Sequence, residues 1–143
     1  MSYKILTINP GSTSTKIAVF DDEKELFSTT LRHSAEELER FPTVASQFQY
    51  RKDIISRELK TAGFDLRSFH IIVGRGGLVK PIESGVYEVT ETLAHDLEHP
   101  VMGEHASNLG GLIARDLAQE IPGAKAYIAD PVVVDELAPV ARI

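Results

Sequence analysis

The stretch Lys4–Asp21, KILTINPGSTSTKIAVFD, places two apolar runs on either side of a short polar turn. The first run, Lys4–Asn9, predicts a buried strand that stops at Pro10, and Lys16–Asp21 predicts a second strand. Glu25–Leu31 follows another polar turn and has the character of a third strand. The chain is therefore expected to open with an antiparallel meander.

Beyond this meander, helices and strands are expected to alternate. Ser34 begins a capping-box pattern that predicts a short helix ending before Pro42, and apolar spacing from Val44 to Leu59 predicts a longer helix closed by Gly63. Further strands are predicted at 69–74, 86–89 and 126–129, and further helices at 91–98, 104–120 and from 132 onward. The alternation predicts an α/β domain with a mixed sheet flanked by helices.

Charges are concentrated but balanced between Arg32 and Lys60. This segment carries six basic and five acidic residues, 11 in all. A nearly balanced run of this kind is typical of solvated helix faces, so we expect no binding patch there.

Composition limits the classes of protein to be considered. A chain of 143 residues with 43% apolar side chains suits one compact domain. Its 15 basic and 21 acidic residues give a net charge of −6, so nucleic acid and anionic membranes are not expected partners. The absence of cysteine excludes disulfides, cysteine–zinc sites and thiol nucleophiles. Without a long apolar run or a secretory signal, a soluble cytoplasmic protein is expected.

The turn Asn9–Lys16 has a composition suited to anions. Gly11 permits close approach of the backbone, the Ser and Thr hydroxyls are donors, and Lys16 supplies a positive charge. The Walker spacing is absent. Since the same residue types are favoured in hairpin turns, a plain turn and a phosphate site both remain open on the residues alone.

Two further positions could carry chemistry. Arg75 is predicted to lie in a glycine-rich turn directly after a strand, where its guanidinium could bind a carboxylate or phosphate or simply face solvent. Asp130 follows a predicted strand at the edge where ligands of open α/β sheets bind, although aspartate also ends strands as a turn residue. His95 and His99 have metal-pair spacing but lack a third ligand, and His33 and His70 are expected to be structural or surface residues.

Six blocks of sequence, spread in order over nearly the whole chain, resemble the butyrate kinases of the acetokinase family: INPGSTSTKIAVF, LRHSAEEL, VGRGGLVKPI, GVYEV, EHASNLGGLIA and AYIADPVVVDEL. Acetate kinases place several residues between the arginine and the Gly-Gly pair, whereas Arg75-Gly76-Gly77 is contiguous here, which favours butyrate kinase. The resemblance implies an RNase H-like, actin-like ATPase fold. It also implies that residues 1–143 form an N-terminal lobe whose second lobe is not in this sequence; the end at Ile143 lacks a helix-ending signal.

The resemblance also implies roles for individual residues. Asn9 is expected near the transferred phosphoryl group, and His105 near its path. Arg75 is expected to contact the acyl substrate beside Gly76 and Gly77, and Asp130 to be catalytic and to hold Mg²⁺ through water. The implied phosphate-binding residues are Gly11, Ser12, Thr13, Ser14 and Lys16. Gly110 and Gly111 are expected to permit close packing at the cleft.

The implied activity is reversible transfer of the γ-phosphoryl group of ATP to butyrate, which gives butyryl phosphate and ADP. ATP and Mg²⁺ are the implied cofactors, and a homo-oligomer is expected at full length. A branched-chain fatty-acid kinase and a non-catalytic actin-like scaffold remain as alternatives. The isolated chain is expected to fold but not to catalyse, because the adenosine pocket of this family comes from the second lobe.

Overall fold

The expected meander is present in the computed structural model, which describes residues 3–75, 86–89 and 108–129. Its strands are β1 (Lys4–Pro10), β2 (Ser14–Asp21) and β3 (Lys24–Arg32), each slightly longer than predicted. The β2–β3 register shifts at a bulge beside Phe20. Both pairings are antiparallel, so the first turn lies at the tip of a hairpin.

The first two helices begin and end at the signals found in the sequence. Helix α1 (Ala35–Leu38) is capped by the Ser34 hydroxyl, which accepts a hydrogen bond from the Glu37 N–H at 3.1 Å. Helix α2 (Phe48–Thr61) begins later than the predicted Val44, because a 3₁₀ turn at Ala45–Gln47 precedes it. Gly63 follows its end with a φ of 90°, the left-handed conformation that glycine adopts without strain.

The remaining elements complete a six-stranded mixed sheet. They are a 3₁₀ turn (Leu66–Ser68), β4 (Ile71–Arg75), β5 (Val86–Glu88), α3 (Asn108–Gln119) and β6 (Lys125–Ala129). The strand order is β3-β2-β1-β4-β6-β5, with β1, β4 and β6 parallel and β5 antiparallel. The α/β class is thus confirmed. The helices predicted at 91–98 and from 132 onward, and the first turn of the 104–120 helix, lie outside the described residues.

Helices α2 and α3 pack against one face of this sheet, and apolar side chains from both layers form the core. Leu6 and Ile8 of β1 are fully buried on that face, as are Ile17 and Val19 of β2. The helices contribute Ile55, Leu59, Leu109, Ile113 and Leu117 to the same core. Because side chains alternate along a strand, Thr7 and Asn9 project from the opposite face. Among the described helices, none is long and apolar enough to cross a membrane.

Candidate active site

A cavity of about 330 Å³ lies on the sheet face opposite helices α2 and α3. In the β1–β2 register Asn9 pairs with Lys16 and Thr7 with Ala18, and paired residues project to the same face. One end of the cavity therefore lies next to the first turn, which joins these two strands. The lining residues are Thr7, Asn9, Lys16, Ala18, Phe20, Glu25 and Arg75.

Arg75 enters this cavity from the end of β4. The sequence predicted it in a turn after the strand, but it is the last strand residue and pairs with Ala129 of β6. That prediction was wrong because pairing with a distant strand extends β4 by one residue beyond Gly74. The Arg75 Nε atom is buried and has no hydrogen-bond partner among the described residues. A buried guanidinium donor without a partner beside a cavity is suited to an anionic ligand.

The turn between β1 and β2 is closed by its own backbone. The Gly11 N–H donates to the carbonyl oxygen of Ser14 at 2.7 Å, and the side chains of Ser12 and Thr13 are exposed. In the part of the chain that the structure describes, the N–H groups of Ser12 and Thr13 have no hydrogen-bond partner. The turn therefore offers free backbone donors, and Lys16, which follows it, lines the cavity with a positively charged side chain; this combination suits a phosphate.

A fully buried arginine lies behind this turn. Arg51 of α2 donates from its terminal nitrogens to the carbonyl oxygens of Ser14 at 3.0 Å and Ser12 at 3.2 Å. It also donates to the Thr15 hydroxyl at 3.2 Å and, twice, to the Gln47 side-chain oxygen at 3.0 and 2.9 Å. Burial lowers the pKa of Arg51, yet a guanidinium remains protonated at neutral pH. The back of the turn is thus fixed to helix α2 by a charged side chain.

His33 extends this contact network to α1. Its Nε2 lies 2.8 Å from the Thr15 hydroxyl, and its backbone N–H donates to the Thr13 carbonyl oxygen at 2.9 Å. Burial lowers the pKa of His33, and the Arg51 charge lowers it further, while Glu37 opposes both. The ring packs edge-on against Tyr50, whose hydroxyl donates to Glu37 at 2.5 Å. That bond lowers the pKa of Glu37; burial is the main cause that raises the pKa of Tyr50. His33 is therefore structural, as expected.

Helix α3 passes close behind Arg75. A Cβ atom added to Gly74 would lie 2.2 Å from the carbonyl carbon of Gly110 and 2.4 Å from the Gly111 nitrogen. Only a residue without a side chain fits at that crossing. Close packing is therefore present at Gly110, but on the core face of β4 and not in the cavity, and it fixes the position of the end of β4. Close packing at the cleft by Gly111 stays a prediction.

The structure brings together part of the predicted site. Asn9, Lys16 and Arg75 line one cavity, and Gly11, Ser12, Thr13 and Ser14 form or border the adjoining turn. The other candidates, Gly76, Gly77, His105 and Asp130, lie outside the described residues, as do His95 and His99.

Sequence reasoning missed Arg51. The balanced charges between Arg32 and Lys60 suggested solvated helix faces, and for Arg51, which is fully buried, this was wrong. A signal was available, because Arg51 stands three residues after Phe48 and four before Ile55, on the apolar stripe of α2. Glu25, which lines the cavity, had no comparable signal.

Curated proteins similar to this chain are butyrate kinases. Over 141 residues, 99% of this chain, it is 57% identical to butyrate kinase 1 of Clostridium acetobutylicum. It is 56% identical to butyrate kinase 2 of the same organism and 48% identical to a probable butyrate kinase of Listeria monocytogenes. The resemblance found in the motifs is thereby confirmed. The chain spans 39–40% of the length of these relatives. No family model matches it.

Solved structures with the same fold include acetate kinases. The acetate kinase of Porphyromonas gingivalis superposes with a TM-score of 0.57 at 16% identity, over 90% of this chain and 37% of that one. The acetate kinase of Entamoeba histolytica gives 0.58 at 16% identity, over 89% and 36%. An exopolyphosphatase of Cytophaga hutchinsonii gives 0.51 at 10% identity, over 90% and 54%. At these identities the likeness concerns the fold alone, and it confirms the expected actin-like ATPase fold.

Proposed function

We propose, from the similarity of the whole chain to butyrate kinases, that it forms the N-terminal lobe of a butyrate kinase. The complete enzyme would transfer the γ-phosphoryl group of ATP reversibly to butyrate, giving butyryl phosphate and ADP. The observation that carries this proposal is 57% identity over 99% of the chain. It is supported by the cavity in which Asn9, Lys16 and Arg75 meet.

The cavity residues suit the two anionic reactants. The free N–H groups of Ser12 and Thr13 and the Lys16 ammonium would bind phosphate oxygens of the nucleotide. The Arg75 guanidinium, with its unpartnered Nε, would hold the carboxylate of the acyl substrate or the phosphoryl group transferred to it. Asn9 lies on β1, between Lys16 on β2 and Arg75 on β4, and its amide could donate to the group in transfer.

The reaction requires little covalent participation by the protein. A carboxylate oxygen of butyrate would form a bond to the γ-phosphorus, while the bond from that phosphorus to the bridging oxygen breaks and leaves ADP. Since a fatty-acid carboxylate is already ionised near neutral pH, no base is required to remove a proton. Positioning and charge neutralisation then supply the catalysis, which is the general pattern of phosphoryl transfer.

Mg²⁺ would accompany the nucleotide and neutralise phosphate charge. Within the described segments, no group of three or more His, Asp or Glu side chains could hold a metal ion by itself. Protein sites for Mg²⁺ commonly supply only one or two carboxylates, with phosphate and water as the other ligands. Asp130 remains the proposed contributor through water, and the role of His105 remains a prediction, as does a homo-oligomer at full length.

The test is acyl phosphate formation by the complete protein with ATP and Mg²⁺. Butyrate, isobutyrate and acetate are compared as acceptors by their kcat/KM values, with a reaction lacking acceptor as the control. The proposal expects butyrate to be preferred. Preference for isobutyrate would instead identify a branched-chain fatty-acid kinase. Nucleotide binding without acyl phosphate from any acceptor would identify a non-catalytic scaffold.

A further inference from the structure

Arg51 is an unusual residue to find in the interior of this domain. It is fully buried, and its five described hydrogen bonds all go to neutral acceptors. No described carboxylate lies within ion-pair distance of it. Burying a charge without an opposite charge is costly, so hydrophobic packing alone does not account for an arginine at this place.

The hydrogen bonds of Arg51 determine how the first turn faces. In a trans peptide unit the carbonyl and the following N–H point in opposite directions. The Ser12 carbonyl is directed to Arg51, so the Thr13 N–H of the same peptide unit is directed away from it. The next carbonyl, that of Thr13, is held by the His33 N–H. The Ser12 and Thr13 carbonyls are thus held by Arg51 and His33, and the free Thr13 N–H lies on the side of the turn away from Arg51.

We propose that Arg51 is a positioning residue that holds the carbonyls of Ser12 and Ser14 so that the turn presents its N–H groups to a nucleotide phosphate. This inference rests on the proposed function, in which the turn binds ATP. Arg51 acts through the backbone and does not touch the nucleotide. Its charge, unpaired among the described residues, also makes the turn more attractive to an anion in a poorly screened interior.

The test uses steady-state kinetics of the complete protein with Arg51→Met and Arg51→Lys. We expect Arg51→Met to raise the KM for ATP by about tenfold or more, because the hydrogen bonds from a charged donor that hold the turn are lost. The KM for butyrate should stay within about twofold, since the acyl side of the cavity is untouched. Arg51→Lys keeps the charge but not the planar fork, so it should give a smaller rise.

Arg57 provides the matched control. It lies on the same helix α2, is exposed, and has no described hydrogen bond or ion pair. Arg57→Met should leave both KM values unchanged. A merely structural role of Arg51 would lower the fraction of folded enzyme, and hence the apparent kcat, with both KM values unaltered. That result, or unchanged kinetics in Arg51→Met, would overturn the proposal.

A binding measurement separates this inference from the proposed function. Calorimetric titration with ADP requires no acyl acceptor. If the wild-type protein binds ADP but phosphorylates no carboxylate, the proposed function fails, while weaker ADP binding by Arg51→Lys still supports the role of Arg51. If Arg51→Lys binds ADP with the same affinity as the wild type, and Arg51→Met, when folded, does so too, the inference is overturned. A wild-type protein that binds no nucleotide overturns both.

Discussion

Arg75 is the cavity residue whose proposed role can be tested most directly by substitution. Its guanidinium offers two parallel donors to a carboxylate or phosphate, whereas a lysine ammonium offers a point charge. Because its Nε has no described protein partner, substitution should remove ligand contacts with little loss of internal ones. The residue is therefore a probe of function more than of stability.

We predict that Arg75→Lys lowers kcat/KM for butyrate by about tenfold to a hundredfold in the complete enzyme. This corresponds to the loss of one charge-assisted hydrogen bond, about 1.5–3 kcal/mol. Arg75→Ala should lower it further. Initial rates of acyl phosphate formation measure the effect, and Arg57→Lys on the exposed side of α2 is the control. Activity of Arg75→Ala within twofold of the wild type would refute the assignment.

His33 makes the stability of the folded protein depend on pH in the acidic range. Burial and the nearby Arg51 charge lower its pKa, so the folded protein resists protonation of this ring while the unfolded chain does not. As pH falls below about 6.5, the unfolded state binds a proton that the folded state does not, and stability falls. Above that pH both states carry a neutral ring, and His33 contributes no pH dependence.

We predict a decrease in the free energy of unfolding between pH 7 and pH 5.5 that is partly due to His33. The slope from one such group is at most about 1.4 kcal/mol per pH unit. In His33→Gln, whose amide can still reach Thr15, the decrease should be smaller. Urea unfolding at each pH measures it, and His70→Gln at an exposed histidine controls for the removal of an imidazole. An unchanged slope in His33→Gln would contradict this explanation.

At the scale of elements, the crossing of α3 over β4 determines where the end of β4 lies. The contact at Gly74 and Gly110 is between backbones, so a neighbouring side chain cannot move aside to make room. Pro10, at the end of β1, also approaches Gly110, and its Cδ would lie 3.2 Å from an added Cβ. The helix thus holds the ends of two strands that flank the cavity.

Gly74→Ala should therefore destabilise the protein by about 3 kcal/mol or more, because α3 and β4 would have to separate. Gly63→Ala is the comparison. Gly63 has a φ of 90°, but a Cβ added there would have no atom within 4 Å, so alanine meets only backbone strain, about 1–2 kcal/mol. Denaturant unfolding gives both values. If Gly74→Ala costs no more than Gly63→Ala, the backbone contact is looser than the structure has it.

At the scale of the whole molecule, the hydrophobic core and the candidate site lie on opposite faces of one sheet. The core between the sheet and helices α2 and α3 is closed by residues of this chain. The cavity on the other face is lined, among the described residues, only by strands of the same sheet. Its lining carries two positive groups, Lys16 and Arg75, and one carboxylate, Glu25, although the chain carries a net charge of −6. This distribution favours local binding of anions.

We predict that residues 1–143, expressed alone, unfold cooperatively but do not phosphorylate butyrate. The described core is formed by residues of this chain alone, but in the proposed enzyme the nucleotide and acceptor must be held between two lobes. Correct positioning of reactants is worth about 7–11 kcal/mol, so the loss of one wall should abolish turnover. Thermal unfolding and the acyl phosphate assay measure the two properties, with the complete protein as the positive control. Turnover by the short chain at a comparable rate would refute the two-lobe proposal.

Local signals in the sequence determined the elements and much of the site. The meander, the Ser34 cap and the end of α2 at Gly63 all follow from residues that are neighbours along the chain. The turn with Lys16 was identified from composition, and its strands from apolar runs. The roles proposed for Asn9, Lys16 and Arg75 came from resemblance to a family, which short motifs in order are sufficient to reveal.

Tertiary structure alone decided the features that depend on contacts between distant segments. Arg75 lies within a strand because β6 pairs with β4 some fifty residues later along the chain. Arg51 is buried because α2 docks beneath the first turn, which provides carbonyl acceptors 37 and 39 residues away in sequence. Helical periodicity shows which side of α2 faces inward, but not what it meets there. An arginine on that side becomes interpretable only when its hydrogen-bond partners are known, because burial of its charge is tolerated only where they exist.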